Sequence, residues 1–191
     1  MGNPLTKPFL GLALALALSL NAVPSDASQD ARLNNITVAS TDRFLTLSLQ
    51  VDGAFTPKVT EAVLKGVPTV FSFLITLDRL RNWWPNEELA DLRVTHTIKY
   101  DNLKKEFIIR RSWKSDNPVV TKSFAEAQTL MTEIRGLDIV PLGRMQKGQT
   151  YKLWAKAELS KTTLPFYLHY VFYFVTFWDF ETDWHTIEFV Y

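Results

Sequence analysis

Four residues near the C-terminal end have the types and spacing that would suit a metal ion. In the segment Trp178 to His185, Asp179, Glu181, Asp183 and His185 occupy alternate positions. A strand sends alternate side chains to one face, so three carboxylates and an imidazole would stand together. Oxygen and imidazole donors of this kind hold hard or borderline divalent cations. The same alternation also describes any strand with one wet face. Same-side neighbours are about 6.5–7 Å apart, which leaves one ion short of partners unless another element converges on it. The solvent-facing strand is the preferred reading.

Other reactive groups are sparse. His96 shares the parity of Val94, Ile98 and Tyr100 and so falls on the apolar side of its strand. There it is either a buried base or ligand, or a core histidine bonded through one ring nitrogen; the second is expected. His169 and His185 share no ligand spacing with it. The chain has no Cys, which removes thiolate nucleophiles, sulfur metal sites and disulfides together. No G-x-S-x-G occurs, and the seven glycines never cluster into a phosphate cradle. No catalytic residue is assigned and no cofactor is expected.

Aromatic side chains are the other unusual feature, at 13% of the chain. Between Phe166 and Trp178 there is no Asp, Glu, Lys or Arg. As a helix this run is apolar on every side, and it is too short to span a bilayer. As a strand it has two apolar faces. Three destinations remain open: the core, a membrane surface or protein partner, or a small-ligand cage. Tyr and Trp carry a polar tip on an apolar body, the mixture found where protein meets a membrane interface. Tyr167, Tyr170, Tyr173 and Trp178 are therefore candidate contact residues. Trp83 and Trp84, followed by Pro85 at an expected strand exit, would extend the same patch.

The elements that must hold these residues read mostly as strands. Leu45, Leu47, Leu49 and Val51 alternate with polar positions, and so do Tyr151, Leu153, Ala155, Ala157 and Leu159. Phe71, Phe73, Ile75 and Leu77 give a third inner face whose parity runs on into Arg79 and Arg81. Two apolar segments flank the polar turn from Asp101 to Lys104 as a hairpin. Thr56 with Pro57 starts a helix that Gly66 and Pro68 stop. Ser123 with Glu126 opens a second, expected to run to Gly136 with Ala127, Leu130, Met131 and Ile134 on one stripe. The pattern predicts an α+β fold, an antiparallel sheet of six to seven strands with two or three short helices packed on it.

A length of 191 residues suits one domain. Lys7, the apolar run from Phe9 to Leu20 and the small residues of "NAVPSDAS" form a secretory signal pattern. The expected division is a signal peptide over 1–27, cut near Ala22 or Ala27, and a single exported domain over 28–191; a retained anchor is the weaker reading. Net charge is +1. From Asp78 to Lys114, nine Lys or Arg alternate with six Asp or Glu, not the coherent basic face that nucleic acid requires.

Asp42-Arg43-Phe44, "EAVLKGVP" from Glu61 to Pro68 and "LDRLRNWW" from Leu77 to Trp84 resemble a bacterial domain of unknown function, family 4390. The Tyr100 and Leu103 hairpin and the terminal "FWDFETDW" are similar too, so the likeness covers about residues 33 to 188. It implies a bacterial exported protein, often encoded beside a membrane sensor histidine kinase, and carries no known activity. The combined expectation is a non-enzymatic periplasmic interaction module at the outer face of the cytoplasmic membrane. It would be accessory to such a kinase, with membrane-surface contact and no nucleic acid. The rival expectation is a carrier of a lipid or another apolar ligand.

Overall fold

The computed structural model describes residues 31–115, 117–160 and 180–191. In chain order they form β1 (Arg32–Ser40), β2 (Phe44–Asp52), α1 (Pro57–Leu64), β3 (Thr69–Arg79), β4 (Glu87–Asp101), β5 (Glu106–Arg111), β6 (Val119–Thr121), α2 (Phe124–Thr132) and β7 (Glu133–Pro141). A 3-10 turn (Leu142–Arg144), β8 (Thr150–Ser160) and β9 (His185–Val190) complete them. The signal segment and the aromatic run from Phe166 to Trp178 lie outside the described residues.

The fold is α+β, with all strand pairs antiparallel. One sheet has six strands in the order β6-β5-β4-β3-β8-β9, and a second has three in the order β1-β2-β7. The sequence pattern predicts one antiparallel sheet of six to seven strands with short helices, but not the division into two sheets. Alternation says which face a strand buries; it does not say which strand lies beside it.

The strand faces are as their parity demands. Leu45, Leu47, Leu49 and Val51 of β2 are buried, as are Phe71, Phe73, Ile75 and Leu77 of β3. On β8, Tyr151, Leu153, Ala155 and Ala157 are buried. Register aligns Val94, Phe73 and Ala157 across β4, β3 and β8, so each row points one way into the core. A single apolar core draws from both sheets and both helices. It suits a chain of this length, since burial of apolar area is the dominant favourable term in folding.

Both helices begin as their caps indicate. Thr56 Oγ1 accepts from the Val59 amide at 3.3 Å with Pro57 in the first turn, and Ser123 Oγ accepts from the Glu126 amide at 3.3 Å. The second helix is shorter than its apolar stripe predicts. It ends at Thr132, and Glu133–Pro141 is β7, paired with β2. Ile134 is buried from this strand and not from a helix turn. Gly136, expected to end the helix, has φ +65 and sits where the β2–β7 register slips, with its amide donating to Ser48 Oγ at 3.0 Å. A left-handed residue at a strand irregularity is the glycine role seen here.

Candidate functional site

The acidic C-terminal segment does not keep its alternation. Glu181 pairs opposite Glu158 of β8, whereas His185 pairs opposite Ala155. Three residue steps on β8 are therefore matched by four on the other strand, an extra residue that moves later side chains to the opposite face. Glu181 lies on the outer face, ion-paired to Lys156, while His185 follows the register of the inward-facing Ala155. Thr182 is buried and its hydroxyl accepts the Ala157 amide at 3.0 Å. Trp184 stands on the outer face, with the Lys156 ammonium 5.4 Å from its ring centroid. Glu181, Asp183 and His185 do line one open cleft of about 340 Å³ with Trp184 and residues 31–33. Among the described residues, no three His, Asp or Glu side chains gather into a group able to hold a metal ion. Asp179 lies outside the described residues, as do His169, Tyr167, Tyr170, Tyr173 and Trp178.

A second, shallower groove of about 270 Å³ lies on the outer face of the larger sheet between Thr76, Asp78, Trp154 and Trp184. Lys152 covers the Trp154 ring at 4.4 Å and pairs with Glu188 at 3.0 Å. These contacts close the indole face with the chain's own cation.

His96 is a core histidine, bonded through both ring nitrogens. Trp113 Nε1–H donates to Nε2 at 2.9 Å, so Nδ1 carries the proton and donates to the Met131 carbonyl at 3.0 Å. Met131 lies in the last turn of α2, whose carbonyls lack helical partners. The imidazole thus ties β4 to that helix end. Burial pushes its pKa down to about 4; the bond to Met131 opposes this, and the Arg111 charge adds to it. A neutral ring with both nitrogens occupied has no free lone pair for acid–base work. Sequence parity locates His96 in the core, but Trp113, beyond the end of β5, gives no sequence signal as its partner.

The Trp pair is the most exposed apolar feature among the described residues apart from Leu103. Trp83 is 92% exposed and Trp84 75% exposed, in the connection between β3 and β4. Its base is fixed. Arg79 and Arg81, the residues whose parity carries β3 out of the core, both hydrogen-bond the Glu87 carboxylate at the start of β4. Burial works to raise the pKa of that carboxyl, and the two guanidinium bonds outweigh it, so it sits below the usual value. The charges at the root of the loop are thereby used up, and the indoles beyond it have no apolar cover.

This tip stands where β8 begins, because Arg79 pairs with Tyr151. The described chain breaks off after Ser160 and resumes at Phe180, both at the other end of β8. The ten steps from Thr150 to Ser160 along the eleven-residue β8 separate the two places by roughly 33 Å at about 3.3 Å per step. The described residues thus do not join Trp83 and Trp84 to the start of the aromatic run.

A family model described as Domain of unknown function (DUF4390) matches residues 28–188. Neither curated proteins nor solved structures gave a match.

Proposed function

We infer that this chain, which belongs to the DUF4390 family, works as a non-enzymatic exported interaction module at the outer face of the cytoplasmic membrane. The observation that carries this reading is the exposure of Trp83 and Trp84 on a loop whose base is clamped by Arg79, Arg81 and Glu87. An exposed indole forgoes the burial that a large aromatic gains, and a preordered loop loses little entropy when a partner covers it. Tryptophan also dominates the centres of binding interfaces. The signal-like pattern before residue 28 supports the compartment, and the family resemblance points to the extracytoplasmic part of a sensor histidine kinase as the protein partner. No specific feature of the described residues favours the lipid-carrier alternative.

The test is the paired substitution Trp83→Ser/Trp84→Ser. With both side chains already in water, the thermal midpoint should match that of the parent while recovery with native membranes drops. Recovery equal to the parent's would remove the tip from any docking role.

A further inference from the structure

We propose that the end of the molecule bearing Trp83 and Trp84 docks onto an anionic phospholipid bilayer, with the indoles in the headgroup zone and Arg43, Arg144 and Lys147 facing lipid phosphates. This rests on the reading of the tip as a contact surface and names lipid as what it contacts.

Backbone hydrogen bonds tie the loops of this end together. The Leu142 amide donates to the Arg43 carbonyl at 2.8 Å, and the Leu80 amide to the Thr150 carbonyl at 2.9 Å. Tyr191 is held between the Gly148 amide and the Gln149 carbonyl. The loops around residues 41–43, 79–87 and 142–149 therefore belong to one end. Their side chains include five cations, Arg43, Arg79, Arg81, Arg144 and Lys147, against two carboxylates, Asp42 and Glu87. Arg79 and Arg81 are taken up by Glu87. Arg43, Arg144 and Lys147 are exposed and form no ion pair among the described residues.

The combination favours lipid. The fully buried core of a protein interface is apolar and depleted of charged residues. Indoles at the same end as cations that have no ion-pair partner instead match a bilayer surface, where Trp settles at the headgroup level and Lys or Arg are drawn by anionic lipid within a Debye length. The adjacent Arg residues, bound to Glu87, keep the loop in shape without cancelling the outer charges.

Co-sedimentation of the full chain with vesicles of pure phosphatidylcholine and vesicles containing phosphatidylglycerol tests this. Binding by other apolar segments is common to every variant, so the differences report on this end. The parent should partition more strongly onto phosphatidylglycerol vesicles, and added salt should erase that preference. Trp83→Ser/Trp84→Ser should lower partition onto both vesicles by on the order of tenfold. It should also reduce indole quenching by bromine-labelled lipid. Arg144→Glu/Lys147→Glu should lose only the anionic preference, at an unchanged thermal midpoint. Equal partition of the parent onto both vesicles, or variants that sediment and quench like the parent, would overturn the proposal. If the parent ignores both vesicles yet is recovered with native membranes through the Trp pair, a protein occupies the tip; the lipid inference falls and the contact reading stands. If the Trp variant follows native membranes as the parent does, both fall.

Discussion

His96 shows how a residue with reactive chemistry is turned to a structural purpose. Its side chain is fully buried, and Trp113 and the Met131 carbonyl occupy its two nitrogens. The stability consequence has a definite sign. The folded pKa, about 4, lies below the ordinary histidine value of 6.5, so between these values the unfolded chain binds more protons than the folded one. Stability from this group is complete above pH 6.5 and is lost as pH falls towards 4. The loss should be roughly 3 kcal/mol, since each pKa unit is worth about 1.4 kcal/mol. Denaturant unfolding across this window should show the decline in the parent. In His96→Gln, which has no titrating ring, the share due to this residue should vanish. An unchanged slope in that variant would contradict the assignment.

At the scale of elements, one-residue details decide which face is wet. β2 alternates except at the buried Thr46, with Leu47 fully buried and Ser48 on the other side accepting the Gly136 amide. Leu47→Asp should abolish folding, because an unpaired carboxylate in the core costs several kcal/mol. Ser48→Asp should be tolerated, since an Asp oxygen still offers an acceptor to Gly136. Soluble yield and thermal melts of the two proteins check this, and equal damage would mean that the face is misassigned. The C-terminal segment is the counter-case. The extra residue between Glu181 and His185 splits a sequence pattern that reads as one continuous face. Likewise the apolar stripe entering α2 continues into β7 without a break in hydrophobicity, because Ile134 reaches the same core from either conformation.

At the scale of the molecule, one core serves two sheets, and both helices pack on it. The proposal of an exported domain carries with it the removal of a leader over residues 1–27. The mature chain should then begin between about Val23 and Asp30, because an apolar run of 12 residues is too short for a stable span. N-terminal sequencing of the exported form measures this directly. An intact Met1 in the membrane fraction would show a retained anchor instead.

The sequence by itself determined the α+β class, the buried faces of β2, β3, β4 and β8, both helix caps and the burial of His96. Each depends on local periodicity or on a side chain reaching its own backbone, and such signals are contained in a few consecutive residues. The exposure of Trp83 and Trp84 before Pro85 was also legible, because a double indole at a strand exit has no neighbours of its own parity to pack with. Only the tertiary structure decided that the strands part into sheets of six and three, that β7 replaces the last turn of a helix, and that Trp113 completes His96. It alone divided Glu181 from His185 and set the Trp tip at the opposite end of β8 from Ser160 and Phe180. These are matters of pairing and register between distant segments. Local pattern leaves them degenerate, and they are settled by which arrangement buries the most apolar surface with every buried polar group bonded.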